Sequence, residues 1–409
     1  MAKKYRTLKQ QFHASDEDTA VSLYRARFHS ESALTWDFTV GEHQLFCLVT
    51  PTMTRSIERI VYQELENFAL WGGLPRVARR SWVENLIMDE IVATNDIEGV
   101  RSTRQEVGEA IAAIKGRAAP KNRRFLEMAR LYLGIADGKL RLPETATELR
   151  ALYYKLLAGE IADEDQLDGE LFRNEPVHIF DGSNEKVHSG LTPESIIIDA
   201  VNVMFTVMAD QDVPRLIAAI VSHFMFKYIH PLYDGNGRVG RFMFGLSLTH
   251  LLSIPTALSL SQVINKQKNK YYKAFMEVEE QLNYGEVTPF VLDLLELIEA
   301  AQRKVTQQLR DYKERMDQLE DTLRELEQDN SSKMRKHTIN ILFILGQESI
   351  FGSAGGVILK DLAEMMEKSE QQTRRYLQDL EQEGAVEATA TKPKRYKLSD
   401  HGRKYLELV

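Results

Sequence analysis

His230-Pro231-Leu232-Tyr233-Asp234-Gly235-Asn236-Gly237-Arg238-Val239-Gly240-Arg241 is the most informative stretch of this sequence, because several requirements of phosphate chemistry meet in it. Gly235 and Gly237 allow backbone N–H groups to approach phosphate oxygens as an anion nest. A helix that begins near Arg238 would direct its partially positive N-terminus at the same place. Arg238 and Arg241 are close enough along that helix for both guanidinium groups to reach one polyphosphate. The stretch, here called loop 230–241, therefore predicts a nucleotide site.

Two further side chains of loop 230–241 suit group transfer. Asp234 offers a hard oxygen ligand for Mg²⁺, which commonly bridges phosphates. His230 ends the preceding apolar helix and carries the only side chain of the loop that can accept a proton near neutral pH. A Walker A ending in Lys-Ser/Thr is absent, and so is a Gly-x-Gly-x-x-Gly after a strand. The loop is therefore expected to bind phosphates in a different way.

Loop 230–241 resembles the Fic signature His-Pro-Phe-x-Asp/Glu-Gly-Asn-Gly-Arg-x-x-Arg and matches it at every position except Leu232, where the signature has phenylalanine. The resemblance extends from about residue 147, through 169–173 and a hairpin, to about residue 295. It implies the all-helical Fic fold, ATP with Mg²⁺ as donor, and transfer of AMP to a Ser, Thr or Tyr hydroxyl. The acceptor would be a target protein, which could be the chain itself.

The resemblance also implies a role for each matching residue. His230 corresponds to the base that deprotonates the attacking hydroxyl, and Asp234 to the Mg²⁺ ligand. The pair Tyr271-Tyr272 is similar to a family pair near the adenine, and Glu279 stands where an asparagine often follows that pair. The residues that would bind the nucleotide are Gly235, Asn236, Gly237, Arg238, Arg241 and Tyr272.

A short hairpin is predicted at residues 175–189, with extended segments at 176–180 and 185–188 and a turn at 181–184. By resemblance it is the family's flap, which would clamp an extended target peptide through added main-chain hydrogen bonds. A plain surface hairpin is the alternative. The target-binding residues would be Val177, His178, Ile179 and Val187.

Thr94-Asn95-Asp96-Ile97-Glu98-Gly99, here called motif 94–99, is a second informative segment. Thr94 and Glu98 share one helix face, and Gly99 is suited to end the helix. The motif resembles the family's inhibitory pattern Ser/Thr-x-x-x-Glu-Gly/Asn. It implies that Glu98 occupies Arg241, the partner of the γ-phosphate, so that ATP binds with its α-phosphate turned away from in-line attack. An ordinary helix end is the alternative.

The fold class is expected to be all-α, with one hairpin attached to the helical core, because apolar residues recur at helical spacing and period-2 alternation is scarce. We predict an N-terminal helical region at 1–140, which contains the inhibitory helix at about 80–99. A Fic core at 141–297, a heptad helix with a linker at 298–332 and a winged helix at 333–409 follow. After motif 94–99 a second helix is predicted, with Ser102 as its N-cap and with Thr103 and Glu106 resembling a capping box.

The heptad helix carries an apolar seam with charged residues between its members. This pattern is typical of a coiled-coil homodimer, and an amphipathic helix lying on its own domain is the alternative. The seam consists of Ile298, Val305, Leu309, Tyr312, Met316, Leu319, Leu323 and Leu326.

The last region has the helices, short strands and basic tip, at 391–395, of a winged helix. Residues 333–409 hold 13 Lys/Arg and 11 Asp/Glu, a charge of +2 within a chain whose net charge is −8. DNA or a protein could dock there. The chain could therefore instead be a DNA-binding regulator with the Fic core as nucleotide sensor.

Two related enzymatic activities compete with AMP transfer. Doc-like relatives transfer phosphate and carry a lysine where this chain has Gly237, so the sequence favours AMP transfer. Removal of AMP stays open, since Glu98 could orient a water.

The composition bounds the setting of the protein. Cys47 is the only cysteine, which excludes an intramolecular disulfide. The apolar run at about 216–226 is too short for a bilayer. A soluble, cytoplasmic protein without membrane contact is expected.

Overall fold

The computed structural model describes residues 5–116, 124–180, 186–328, 336–352, 356–389 and 393–408. The chain divides into two compact units. The first comprises Met1–Glu64, Asp89–Ala110 and Asn122–Gln302, and the second comprises Leu65–Met88, Ile111–Lys121 and Arg303–Val409. Within the described ranges, no helix has both the length and the apolar character needed to cross a bilayer.

Helices dominate the chain, and small sheets are inserted between them, so the all-α class predicted from the sequence is confirmed. In chain order, the elements up to the long helix are α1 (Leu8–Ala14), α2 (Glu17–Phe28), β1 (Ala33–Val40), β2 (His43–Leu48), α3 (Pro51–Gly73), α4 (Arg76–Ile97), α5 (Arg104–Ile114), α6 (Leu126–Ala136), α7 (Ala146–Leu156), β3 (His178–Phe180), β4 (Lys186–Ser189), α8 (Glu194–Ala209), α9 (Arg215–Ile229), α10 (Asn236–Leu248), α11 (Ile254–Ala257), α12 (Leu260–Lys266), α13 (Lys268–Glu279) and α14 (Thr288–Gln328). Then follow α15 (Lys336–Phe351), β5 (Val357–Ile358), α16 (Leu359–Met365), α17 (Glu370–Gln382), β6 (Val386–Ala388), β7 (Arg395–Leu398) and α18 (Asp400–Tyr405).

Helix α9 is buried almost throughout and leads directly into loop 230–241. Residues 216–229 are all buried except Tyr228, which is half-buried. A helix that is apolar around most of its circumference belongs in a core, and α9 packs against α8 and α10. Phe224 and Phe226 are fully buried, and burial of each such side chain contributes roughly 2 kcal/mol. The loop therefore starts from a firmly packed helix.

The N-terminal region was predicted to be helical, but it also contains a hairpin that the sequence analysis did not predict. Strands β1 and β2 form a second antiparallel hairpin, in which Val40 pairs with His43. On β1 the buried Trp36, Phe38 and Val40 alternate with exposed residues. That alternation is the period-2 signal of a half-buried strand, and Gly41, at φ +59°, makes the turn.

The junction between α4 and α5 corrects a second detail. Gly99 follows α4 with φ +72°, as the C-terminal signal predicted. The predicted capping box between Thr103 and Glu106 is present, and the N-cap of the next helix is therefore Thr103 rather than Ser102. The Thr103 hydroxyl accepts from the Glu106 N–H at 3.2 Å, and the Glu106 carboxylate accepts from the Thr103 N–H at 2.9 Å. This reciprocal pair is a capping box.

The predicted boundary at 297/298 lies inside the continuous helix α14, and the compact units also divide the predicted N-terminal region between them. Most of the apolar seam of α14 is buried within the single chain. In the second unit, the Tyr312 ring lies 5.3 Å from the Trp82 ring and 4.6 Å from the Phe351 ring. These contacts favour the interpretation in which the amphipathic helix packs against its own chain.

The C-terminal segment combines α15, α16 and α17 with a three-stranded sheet in the order β5-β7-β6. This order of helices and strands matches the connectivity expected of a winged helix. Helix α17 begins with a capping box between Ser369 and Gln372, and it exposes Arg374 and Arg375. Residues 390–392, which include part of the predicted basic tip, lie outside the described residues. Contact with DNA or protein here stays a prediction.

Candidate active site

Loop 230–241 begins where α9 ends. His230 has a φ of +50°, and its backbone N–H donates to the carbonyl of Phe226 at 3.1 Å. A left-handed backbone is uncommon outside glycine, and it ends the helix at this residue. Leu232, the one departure from the signature, is fully buried. The leucine thus anchors the loop in the apolar core, as the phenylalanine of the signature is expected to do.

Arg173 holds the start of the loop through backbone carbonyls. Its guanidinium donates to the carbonyls of His230 at 2.8 Å, Glu175 at 2.6 Å and Leu191 at 2.8 Å. Arg173 is fully buried, and a buried guanidinium is stable only when its donors have partners. These bonds tie the backbone of His230 to both ends of the hairpin.

The middle of the loop is closed by its own side chain. The Asn236 amide donates to the Leu232 carbonyl at 2.8 Å, and the Asn236 amide oxygen accepts from the Leu232 N–H at 3.1 Å. Gly235 adopts a φ of +85°, and a β-carbon there would overlap the Leu157 side chain. The side chain of Asn236 therefore holds the loop in shape. The backbone N–H groups of the loop stay available for the phosphate contact that the sequence predicts.

His230 is a neutral imidazole at ordinary pH. It is buried, and burial together with the positive charges of Lys227 and Arg173 lowers its pKa to about 2. Its Nδ1 atom has no hydrogen-bond partner among the described residues. A neutral imidazole with a free nitrogen can accept a proton, which fits the role predicted for His230.

Arg238 is fixed by two carboxylates. It donates to Asp234 Oδ2 at 2.7 Å and to Glu160 Oε2 at 3.1 Å. Burial raises the pKa of Glu160, and the charge of Arg238 opposes that shift. The Asp234 side chain is 49% exposed. Arg238 is thereby aligned by Glu160 while Asp234 keeps access to solvent.

Asp234 also fits the predicted role of Mg²⁺ ligand. No cluster of three or more possible metal ligands occurs among the described residues. Mg²⁺ bound to a nucleotide usually takes only one or two carboxylates and completes its shell with phosphates and water. A single half-exposed carboxylate beside the phosphate nest meets that requirement.

Motif 94–99 contacts the last arginine of the loop directly. Arg241 donates from Nη1 to the Glu98 carboxylate at 2.7 Å, from Nε to the Thr94 hydroxyl at 2.9 Å and from Nη2 to the Thr94 carbonyl at 2.9 Å. Arg241 is 1% exposed. All three nitrogens of its guanidinium are thus occupied by α4 and the residue that follows it.

The Glu98 carboxylate lies where the sequence predicts a phosphate. A β-carbon at Gly237 would overlap it, so the carboxylate rests against the backbone of the nest. Burial alone would raise the pKa of Glu98, but the charges of Arg241 and Lys227 outweigh it and lower the pKa to about 2. The Glu98 side chain is nevertheless 25% exposed. Glu98 is therefore a partly exposed carboxylate that is held by Arg241.

The two tyrosines predicted near the adenine have different surroundings. Tyr271 is fully buried, and its hydroxyl lies 2.8 Å from Nε2 of His223, so it belongs to the core. Tyr272 is half-buried, and its hydroxyl donates to the Ile97 carbonyl at 3.4 Å. Burial, with the charge of Glu98, raises the pKa of Tyr272 to about 12. Of the pair, Tyr272 is the one beside motif 94–99.

Strands β3 and β4 pair antiparallel at the site of the predicted flap. His178 pairs with Ser189, and the Gly190 N–H donates to the Val177 carbonyl at 3.0 Å. Val177, Ile179 and Val187 are half-buried or exposed along the hairpin, and His178 shares their strand pair. The predicted turn at 181–184 lies outside the described residues.

Glu279 anchors this hairpin to the core. Its carboxylate lies 2.7 Å from Nδ1 of His188 on β4, and Nε2 of His188 lies 2.9 Å from the Tyr228 carbonyl. The ring centroids of His188 and His230 are 6.0 Å apart. Glu279 therefore holds the flap beside His230 at the position where the family often has an asparagine.

Four residues near the site were missed by sequence reasoning. Lys227 could have been noticed in the sequence, because it is a charged residue within the nearly apolar segment that forms α9. The remaining three lie far from loop 230–241 in the sequence, so nothing local indicates their contacts. They are Glu160, Arg173 and His188.

Comparisons with known proteins show what the chain is similar to. Residues 143–248 match the model of the Fic/DOC family. A Fic family protein from Desulfovibrio desulfuricans G20 is similar at 20% identity and a TM-score of 0.52, over 86% of this chain and 97% of that one. A Fic domain-containing signaling protein from Bacteroides thetaiotaomicron VPI-5482 gives 15% identity, a TM-score of 0.44 and coverages of 62% and 97%. Fic-1 from C. elegans is similar at 14% identity and a TM-score of 0.45, over 74% of this chain and 81% of that one.

Proposed function

We propose that the protein transfers AMP from ATP to a Ser, Thr or Tyr hydroxyl of a target protein and inhibits itself through Glu98, since residues 143–248 match the model of the Fic/DOC family. The observation that carries the proposal is the Glu98 carboxylate, which contacts both Arg241 and the backbone at Gly237. One anionic group thus occupies the place that a phosphate would take.

The nucleotide is bound through its phosphates. The N-terminus of α10 and the backbone at Gly235 and Gly237 form the anion nest. Arg238, already aligned by Glu160, and Arg241 add charge-assisted hydrogen bonds. Asp234 would hold Mg²⁺, which supplies charge neutralisation for the phosphates when bound. Tyr272, whose hydroxyl contacts motif 94–99, would border the adenine base, as the family resemblance implies.

The transfer step uses His230 as a general base. Its neutral imidazole takes the proton of the acceptor hydroxyl, the hydroxyl oxygen forms a bond to the α-phosphorus, and the bond to the pyrophosphate oxygen breaks. The products are an AMP ester on the acceptor side chain and pyrophosphate. Negative charge on the bound triphosphate raises the proton affinity of His230, which offsets the effect of burial on its pKa.

Inhibition follows from competition for Arg241. As long as Glu98 occupies this guanidinium, a γ-phosphate cannot use it, and the triphosphate binds in a misaligned position. Displacement at phosphorus depends on alignment of the attacking and leaving oxygens. Release of Glu98 from Arg241 then restores the productive position.

The hairpin supports a protein as the acceptor. Strands β3 and β4 form a two-stranded sheet next to His230, so each strand has an edge that is not paired within this sheet. An extended peptide can add to such an edge by main-chain hydrogen bonds. The acceptor hydroxyl would thereby be brought to the base.

The test is intact mass after incubation of full-length Glu98→Gly with ATP and Mg²⁺. We expect the mass of one or more AMP groups to appear on the chain itself or on an added target. ATP labelled on the α-phosphate separates this result from transfer of the γ-phosphate. Asp96→Gly is the matched control, because it removes an exposed carboxylate from the same helix end. Label from the γ-phosphate alone would overturn the proposal.

A further inference from the structure

Lys227 is a buried cation of the site without a direct partner among the described residues. It lies on α9 one turn before His230 and is 9% exposed. Its ammonium group makes no hydrogen bond or ion pair within the described ranges, whereas Arg173, Arg238 and Arg241 each have acceptors. A buried charge is costly unless it is paired. The ammonium group is therefore placed for an anion that binds there.

The charged groups that act on Lys227 indicate where such an anion would bind. Burial lowers the pKa of Lys227, the charges of Glu98 and Glu279 oppose the shift, and the charge of Arg241 adds to it. In return, Lys227 contributes to the lowered pKa of both Glu98 and His230. The ammonium group thus lies within electrostatic range of the Glu98–Arg241 pair and of the base.

We propose that Lys227 binds the terminal phosphate of a nucleoside triphosphate together with Arg241. This inference rests on the proposed function. In the structure the Glu98 carboxylate is paired with Arg241, and the ammonium group of Lys227 receives only longer-range attraction from Glu98 and Glu279. A terminal phosphate carries more negative charge than a carboxylate and offers several acceptor oxygens. The flexible stem and three donors of a lysine allow its ammonium group to reach them once Glu98 has moved.

Lys227 also connects phosphate binding to the base. The charge of Lys227 opposes protonation of His230. A phosphate bound to the ammonium group neutralises that charge, so His230 becomes a stronger base when a triphosphate is present. AMP, which has no terminal phosphate at this position, would not produce the effect. Lys227 therefore contributes to selection of the triphosphate as well as to its binding.

The experiment is calorimetric titration of full-length Glu98→Gly and of Glu98→Gly with Lys227→Met, using ATP and AMP as separate probes in Mg²⁺ buffer. Methionine keeps the length and apolar stem of lysine without its charge. We expect the Kd for ATP to rise about tenfold, equivalent to about 1.4 kcal/mol, and the Kd for AMP to change less than about twofold. Lys227→Arg in the same background should retain most of the ATP affinity.

Lys360→Met is the matched control, because Lys360 is an exposed lysine of α16. It should leave both affinities unchanged. Equal ATP affinity with and without Lys227 in a protein that transfers AMP would overturn the lysine inference alone. A parallel loss for ATP and AMP would also overturn it, since that result indicates a packing defect. A Glu98→Gly protein that binds no nucleotide would overturn the proposed function and this inference together.

Discussion

Loop 230–241 and motif 94–99 meet at Arg241, yet they are held in different ways. The loop is fastened by buried groups on several sides, namely Arg173, the Asn236 side chain and the pair of Arg238 with Glu160. Motif 94–99 contributes Glu98 from the end of a helix that Gly99 terminates, and the Glu98 side chain keeps 25% exposure. This difference is what the proposed inhibition requires, in which the loop stays in place and the Glu98 carboxylate moves away from Arg241.

The base gives the largest expected effect. In the Glu98→Gly background, His230→Ala should lower AMP transfer by roughly 10²–10⁴-fold, the range expected for loss of a general base. The affinity for ATP should change little, because no phosphate contact is removed. Initial rates and calorimetry on the same protein check both parts. His250→Ala, a histidine of the same unit outside the site, is the control. A severe loss of ATP affinity would contradict the assigned role.

A substitution of Glu160 tests how loop 230–241 is held in place. Glu160→Gln keeps the shape of the side chain but removes the charge that aligns Arg238. We expect transfer in the Glu98→Gly background to fall by roughly tenfold, about 1.4 kcal/mol of transition-state stabilisation. Glu164→Gln, an exposed carboxyl group nearby in sequence, should have no effect. Equal rates for the two variants would mean that the loop does not depend on this pair.

The pH dependence of inhibition by Glu98 tests the contribution of motif 94–99, and it should be the smallest of these effects. The pKa of Glu98 is about 2, below its usual value of 4.5. A lowered pKa means that the ion pair contributes fully above the usual value and is lost only as the pH falls toward 2. The ratio of Glu98→Gly to wild-type transfer rates should therefore stay constant between about pH 6 and 9. A wild-type rate that approached the variant's as the pH was lowered to about 6 would contradict this assignment.

Sequence spacing could be used to predict the local geometry within loop 230–241 and within motif 94–99, whereas the contact between Glu98 and Arg241 was expected from the family resemblance. Within each segment, glycines, helix ends and residues one helical turn apart determine which of its own groups lie close together. The contacts of Glu160 and Arg173 depend on distant segments that only the fold brings together. The hairpin of β1 and β2 could have been found from the alternation of apolar and polar residues along β1, where Asp37 and Thr39 separate Trp36, Phe38 and Val40. An apolar seam on α14 could not by itself distinguish a partner chain from the chain's own surface.

The central claim is that Glu98 restrains transfer by occupying Arg241. The most direct measurement is the initial rate of AMP transfer for wild type, Glu98→Gly, Arg241→Ala and the double variant, with unfolding temperatures as a check of folding. Glu98→Gly should be faster than wild type by about two orders of magnitude or more, because alignment contributes several kcal/mol to such reactions. The double variant should be slow again, since the released arginine is missing. A Glu98→Gly protein no faster than wild type, or a double variant as fast as Glu98→Gly, would contradict the account.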